Sequence, residues 1–225
     1  MVIGISDKYT SSAISASYAI DPTVGEELNL IVDLTFTEEE LRFALANEDE
    51  LLPRQLEAFE TDCHRRIERF LSVLAQVGAQ SQGGPLTSEQ RTALETALRY
   101  FREAAPKHAA DEEQTLFPRL RSVDLPEVKA VLASVDSLES DHIQAEKSHV
   151  EVDRLGQAWL AAGSLPPADG TRFSGLIAGL AEPYREHIAV EERDVFPLAA
   201  AVLGKPQREA MGGEMAAMRG LRQSL

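Results

Sequence analysis

The chain has 225 residues, of which 44% are hydrophobic, and 37 acidic residues against 22 basic ones give it a formal net charge of −15. Such an acidic chain argues against a nucleic-acid surface, which needs clustered Lys and Arg, and against docking on an anionic membrane. Its single cysteine, Cys63, excludes an internal disulfide and fits a reducing compartment. No apolar run reaches the roughly eighteen residues that cross a bilayer, and no signal peptide is recognisable, so we expect a cytoplasmic protein.

The first fifty residues differ from the rest of the chain. Residues 28–36 (LNLIVDLTF) alternate apolar and polar side chains, which predicts one short strand. A short helix is predicted directly after it, where Thr37 and Glu40 have the spacing of a capping box. One strand is not stable alone, so residues 1–50 are expected to form an N-terminal extension that packs on the remainder, pairs with itself or pairs with another subunit. A homodimer formed through this extension is our hypothesis.

From about residue 51 onward, apolar residues recur every three or four positions, the pattern of amphipathic helices. Thr87 or Ser88 can cap the second of these helices. The pattern predicts four long helices, at about 51–80, 88–121, 126–161 and 171–203, and a shorter one at 206–222. Short links between long helices predict an all-α fold: an up-down antiparallel four-helix bundle over residues 51–203, with an extra C-terminal helix within 204–225.

One sequence motif of eleven residues, called the phrase below, occurs twice in the chain. Residues 108–118 read HAADEEQTLFP and residues 187–197 read HIAVEERDVFP, with six of eleven positions identical. Residues four apart share one face of a helix, so each phrase presents a histidine and a glutamate together, His108 with Glu112 and His187 with Glu191. Two such helices facing each other would bury two imidazoles and two carboxylates. That burial costs several kcal/mol unless the groups are paired or bind a metal, and a metal ion is the usual solution.

The remaining histidines extend this pattern over all four predicted helices. His64 lies in the first helix, and His142 and His149 lie in the third. An acidic residue stands four positions after each of the five histidines: Glu68, Glu112, Glu146, Asp153 and Glu191. Salt-bridged pairs on a wet helix face have the same spacing, so a structural role is the alternative. The duplication and the bundle context favour the metal site.

Phe117 and Phe196 lie nine residues after the histidine of each phrase. On a regular helix they point away from that histidine, so we expect them to be packing residues. The prolines that follow, Pro118 and Pro197, end or bend the helix.

The four predicted helices carry, in order, a histidine, His-x-x-x-Glu, a histidine and His-x-x-x-Glu. This order resembles that of the hemerythrin-like (HHE cation-binding) domain family. The EE..LFP continuation and the late EMAAMRG sequence also resemble bacterial members, and the resemblance covers roughly 51–222. It implies a pair of non-haem irons inside a four-helix bundle, bridged by Glu112, Glu191 and a solvent-derived oxo group. The terminal nitrogens would come from His64, His108, His142 and His187.

One position departs from the oxygen-carrying hemerythrins, which have a second histidine one turn after the first on the third helix. Here that residue is Glu146. If its carboxylate ligated iron, it would favour the ferric state. If it did not, a coordination position would be open for water or substrate. His149, two turns after His142, could substitute only if the helix shifted. Reversible oxygen carriage is therefore not the expected role.

Several neighbouring residues are expected to have supporting roles. Glu113 and Glu192 are rotated by about 100° from their predecessors, so they should lie outside the ligand set or at the surface. Glu68 should pair with Arg65 in solvent. Tyr184 shares a face with the fourth-helix histidine, and packing is favoured over a bond near the metals.

A ferritin-like di-iron site is the rival metal-binding arrangement, with Glu-x-x-His on two helices. Glu139-x-x-His142 and Glu146-x-x-His149 are present, but both lie on the third helix, and the fourth has Tyr184 where the second glutamate should be. The hemerythrin arrangement therefore fits better.

Two bridged irons with an open position can bind dioxygen, nitric oxide or peroxide. We therefore expect a di-iron protein that binds or detoxifies such a small oxidant, in oxygen handling or stress response, with peroxide- or nitric-oxide-processing activity left open. Similar ligands also accept manganese or zinc. The alternatives are a non-catalytic module that senses iron or oxygen or binds a partner, and a metal-free structural bundle.

Overall fold

The structure is a computed structural model that describes residues 52–220, with side chains from Thr61 onward. In this range all regular structure is helical, which confirms the all-α class. The last predicted helix ends at Met218, before the predicted residue 222. The strand predicted at 28–36, the capping box of Thr37 and the extension 1–50 lie outside the described residues. Those features stay predictions, and so does the division of the chain into domains.

The described range contains eight α-helices and two π-helical turns. The first half has α1 (Leu52–Ser81), α2 (Ser88–Glu103), α3 (Ala105–Asp111), the first π-turn (Glu112–Leu116) and α4 (Phe117–Arg121). The second half has α5 (Pro126–Ala162), α6 (Pro167–Val190), the second π-turn (Glu191–Val195), α7 (Phe196–Val202) and α8 (Lys205–Met218).

Local chemistry accounts for three of the helix ends. The Thr87 hydroxyl accepts a hydrogen bond from the Gln90 N–H at 3.2 Å, and the Gln90 side chain accepts one from the Thr87 N–H at 3.0 Å, so Thr87 caps α2. Helix α5 ends at Gly163, which has the left-handed φ of 78° that glycine adopts without strain. Helix α6 begins at Pro167, four residues earlier than predicted, because a proline suits the first turn of a helix.

The second predicted helix is not continuous. It is interrupted at Ala104, and α3 then begins with Ala105 and Pro106. Pro106 has no backbone N–H, so it cannot continue the hydrogen-bond ladder of α2. The prediction of one regular helix to residue 121 is therefore wrong, and the break separates the packing helix α2 from the segment that carries the first phrase.

Four long segments pack in a closed ring: α1 contacts α2 and α6, and α5 contacts the same two helices. A buried apolar core fills the ring, and its largest fully buried side chains include Trp159, Phe173, Leu94 and Leu98. The Trp159 indole N–H donates to the Gly84 carbonyl at 2.8 Å, so even this core residue has its polar atom satisfied.

A second apolar cluster lies around the two π-turns. It joins Phe117, Val135, Phe196 and Leu203 to Met211 and Met215 of α8. The C-terminal helix is therefore part of the core in this region. Between residues 52 and 220, no helix combines the length and the apolarity that a bilayer crossing requires.

Gly156 lies where α5 approaches α2 closely, because a Cβ placed on it would lie 2.5 Å from Cδ1 of Leu98. Gly156→Ala should therefore lower the free energy of unfolding by about 1–3 kcal/mol through overpacking. The matched control is Gly179→Ala on α6, where an added Cβ meets nothing within 4 Å. It should raise stability by about 0.5–1 kcal/mol through helix propensity. Urea denaturation measures the free energy of unfolding of both variants. An equal change in the two variants would contradict the close approach of α5 and α2 at Gly156.

Candidate metal centre

The repeated phrase folds the same way both times. The Phe117 N–H donates to the Glu112 carbonyl, and the Phe196 N–H donates to the Glu191 carbonyl, each five residues back. The proline that follows each phenylalanine has no N–H, so the regular i−4 ladder is already incomplete there. Each phrase therefore contains a π-turn, a feature that often occurs at functional sites.

The π-turns change where the phenylalanines lie. Each π-turn contains one more residue than a regular turn, so the residues that follow it are rotated about the helix axis by about 100° relative to a regular helix. The Phe196 ring stacks on His64 with ring centroids 5.4 Å apart and planes 18° apart. Phe196 is thus a packing residue, as predicted, but it packs on a histidine of the site, which regular helix geometry did not anticipate.

The phrases and the lone histidines converge on two groups of four side chains. In each group the potential ligand atoms lie within 4.8 Å of one another. The first group consists of His64, His108, Glu112 and Glu191, and the second consists of Glu112, His142, His187 and Glu191. Both glutamates belong to both groups. We call His64 and His108 the enclosed pair and His142 and His187 the cavity pair.

Glu112 faces one histidine of each pair with a different oxygen. Its Oε1 lies 3.4 Å from Nε2 of His108, and its Oε2 lies 3.3 Å from Nε2 of His142. The carboxylate is fully buried, so its two oxygens have only protein atoms around them in the described structure.

Glu191 repeats this arrangement from the other phrase. Its Oε2 lies 3.1 Å from Nε2 of His64, and its Oε1 lies 3.1 Å from Nε2 of His187. Each glutamate therefore directs one oxygen to the enclosed pair and the other to the cavity pair. Two carboxylates placed this way can bridge two metal ions, one beside each pair.

The pKa shifts of Glu191 and His142 favour the protonation states that bind cations. Burial alone would raise the pKa of Glu191, but hydrogen bonds from His187 and His64 and the charge of His108 lower it below its usual value. Burial lowers the pKa of His142, and His187 lowers it further, against the opposing effect of Glu113. These shifts favour Glu191 as the ionised carboxylate and His142 as the neutral imidazole, which are the forms that bind metals.

A further carboxylate lies behind three of the imidazoles. Glu192 is 3.0 Å from Nδ1 of His64, and Glu113 is 2.8 Å from Nδ1 of His142. Asp141 is 3.5 Å from Nδ1 of His187. A carboxylate on Nδ1 fixes the ring orientation and leaves Nε2 directed into the centre. The second glutamate of each phrase thus orients a histidine of another helix, which explains why the phrase contains two glutamates.

All but one of the predicted site residues lie in this centre. The exception is Glu146, which is exposed and belongs to neither group. His149 also lies outside both groups, with Nε2 3.0 Å from the Tyr184 hydroxyl. Glu68 accepts a hydrogen bond from Arg65 at 2.9 Å, as predicted.

A cavity of about 480 Å³ adjoins the cavity pair through His142. Its lining includes Phe101, Ile143, His149 and Tyr184, which come from three different helices. Neither histidine of the enclosed pair lines this cavity, and both are buried. The local sequence carries no signal for the cavity, because it depends on the spacing between packed helices.

Asp111 and Arg219 form an ion pair that the residue spacing did not indicate. Asp111 is fully buried next to Glu112, and the Arg219 guanidinium at the end of α8 binds both of its oxygens, one of them at 2.8 Å. The EMAAMRG sequence that contains Arg219 was the available signal. The ion pair ties the C-terminal helix to the last residue of α3, which directly precedes Glu112.

Residues 56–199 match the family model of the hemerythrin HHE cation binding domain. The chain belongs to this family. The resemblance that the motifs indicated is therefore confirmed. The chain is also 30% identical over 157 residues to a protein of Haemophilus influenzae described as uncharacterized, covering 70% of this chain and 86% of that protein.

As a member of the hemerythrin HHE family, the chain should bind metal through the histidines that Glu113 and Glu192 orient. Glu192→Gln and Glu113→Gln should each lower metal affinity by about 10–100-fold, because a neutral amide orients and polarises the imidazole less well. Competition with a fluorescent chelator measures the affinity. Glu186→Gln, at an exposed position of α6, is the matched control and should leave it unchanged. Unchanged affinity in all three variants would contradict the orienting role.

Proposed function

We propose that the protein binds two iron ions in this centre and uses them to bind or detoxify a small oxidant: dioxygen, nitric oxide or peroxide. The observation that carries the proposal is the sharing of Glu112 and Glu191, each with one oxygen toward either histidine pair. A single ion would need only one of the two groups.

The donor set fits the proposed metal. Imidazole nitrogens and carboxylate oxygens suit iron, and the family match supports cation binding. Two fully buried carboxylates close together are costly unless cations balance them. His64 and His108 would hold one iron and His142 and His187 the other, with both glutamates between them. The bound irons would supply redox chemistry at coordination positions that the protein leaves open.

The surrounding residues suit the two ions to different roles. Phe196 and the apolar cluster around it exclude water from the enclosed pair. The cavity pair is reached through His142, whose side chain is 13% exposed. A small molecule from solvent would therefore reach the centre on the side of His142 and His187, while His64 and His108 would hold their iron away from solvent.

The finer architecture belongs to the same proposal. The four long segments should alternate in direction as an up-down antiparallel bundle, because successive segments pack on each other through short connections. Residues 1–50 should mediate a homodimer, and the protein should act in the cytoplasm in oxygen handling or stress response.

The test is anaerobic reconstitution with ferrous iron, followed by measurement of iron per chain and of the visible spectrum after addition of air, nitric oxide or peroxide. We expect about two irons per chain, with a spectral change for at least one oxidant and loss of both in Glu112→Ala, Glu191→Ala. The matched control is Glu182→Ala, Glu186→Ala, at two exposed positions of α6.

If the variant Glu112→Ala, Glu191→Ala still bound about two irons per chain, the proposal that these two carboxylates are shared ligands would be refuted. Two bound irons that respond to none of the three oxidants would instead refute the oxidant function and favour a sensing or interaction role.

A further inference from the structure

Tyr184 and His149 form a hydrogen-bonded pair near the metal centre, and the proposed function uses neither of them. The Tyr184 hydroxyl lies 3.0 Å from Nε2 of His149. Tyr184 stands three residues before His187 on α6, so the two side chains are neighbours on one face of that helix. His149 follows His142 by two turns on α5. The pair therefore lies next to the cavity pair, on the same two helices.

The protonation states of the two groups follow from their surroundings. Burial lowers the pKa of His149 to about 4, so its ring is neutral near pH 7. Burial raises the pKa of Tyr184, and the charges of Glu112 and Glu191 raise it further, so the phenol is protonated. The phenol O–H donates to Nε2, because the described residues offer it no other acceptor. The proton of the neutral imidazole is then on Nδ1.

The phenol proton of Tyr184 therefore has a base within reach. Side chains transfer protons over about 2.6–3.2 Å between heavy atoms. The ring of His149 is held in position, because it stacks on Phe101 with ring centroids 4.2 Å and planes 18° apart. A phenol that loses an electron becomes a strong acid, so a neighbouring base that takes its proton makes the loss of the electron easier.

Tyr100, the other tyrosine among the described residues, has a different acceptor. Its hydroxyl donates to the backbone carbonyl of Cys63 at 3.4 Å, and an amide oxygen does not take up a proton near neutral pH. Burial raises the pKa of Tyr100 as well, so both phenols are protonated. The two tyrosines differ in the group that would receive their proton, and this difference makes Tyr184 the easier one to oxidise.

We propose that Tyr184 is a one-electron donor to the iron centre and that His149 is the base that receives its proton. After peroxide or dioxygen has removed electrons from the centre, Tyr184 returns one electron and becomes a neutral tyrosyl radical. The phenol O–H bond breaks, an N–H bond forms at Nε2, and His149 becomes an imidazolium. The inference rests on the proposed function, because the oxidised iron centre is the electron acceptor.

The first test uses metal-free protein, so that it does not depend on iron. Tyr9→Phe and Tyr18→Phe are present in all samples, which leaves Tyr100 and Tyr184 as the tyrosines of the chain. Photogenerated tris(bipyridine)ruthenium(III) is the one-electron oxidant. Transient absorption follows the rate, and EPR of rapidly frozen samples identifies the radical. We expect a tyrosyl radical that forms more slowly in D2O, because a proton moves with the electron.

Three further substitutions in this background assign the radical. Tyr184→Phe should abolish the tyrosyl signal, and so should His149→Phe, which keeps an aromatic ring beside Phe101 but removes the base. Tyr100→Phe is the matched control, since it makes the same change at a tyrosine without a base, and it should retain the signal. Thermal unfolding checks that each variant is folded.

The second test adds hydrogen peroxide to the iron-loaded protein and again detects the radical by EPR. The tyrosyl signal should appear in the protein that retains Tyr184. It should be absent in Tyr184→Phe, although this variant should still bind about two irons per chain. The comparison therefore reports on the electron donor and not on turnover of peroxide.

A tyrosyl signal that persists in Tyr184→Phe, or that is equal in His149→Phe and Tyr100→Phe, would overturn the inference. The same holds if no tyrosyl radical forms, or if its rate is unchanged in D2O. Bound iron that responds to peroxide without a radical at Tyr184 would refute this inference alone. Failure to bind iron would refute the proposed function and this inference together.

Discussion

Two carboxylates with no exposure to solvent, those of Glu112 and Glu191, impose the main constraint on this protein. An ionised carboxylate in a protein interior is unfavourable unless positive charge and hydrogen-bond donors surround it. Here two are buried close together, and four imidazoles from helices α1, α3, α5 and α6 lie against them. The arrangement is polar and acidic in the middle of an apolar helical core. Cations that bind both glutamates would relieve the repulsion and join all four segments.

The rest of the described fold supports that centre from outside. The second π-turn returns Phe196 to the site, where its ring stacks on His64. An ion pair between the buried Asp111 and Arg219 connects the end of α3 to the end of α8, whose methionines complete the apolar cluster. The centre therefore depends on residues that lie far from it in sequence, including the C-terminal helix beyond the segment that matches the family.

It could be predicted that these histidines and glutamates lie together, because i,i+4 spacing on a helix directly gives a shared face and because the phrase occurs twice. The all-helical class followed in the same way from apolar periodicity. The break at Ala104 and the π-turns were missed, although Pro106, Pro118 and Pro197 were visible, because periodicity assumes a regular helix. Whether Glu146 reaches the centre depends on how α5 is rotated, and the structure turns it to solvent. The cavity and the pairing of Asp111 with Arg219 depend on tertiary packing, and the EMAAMRG sequence pointed to the region of Arg219 but not to its partner.

The most direct test of the central claim is the metal–metal distance in the iron-loaded protein, measured by X-ray absorption at the iron edge. Carboxylates that share two ions hold them no more than about 4 Å apart, so the account predicts iron–iron scattering within this separation together with nitrogen and oxygen ligands. Iron that is bound with nitrogen and oxygen ligands but shows no iron neighbour would contradict it, because Glu112 and Glu191 would then not bridge two ions.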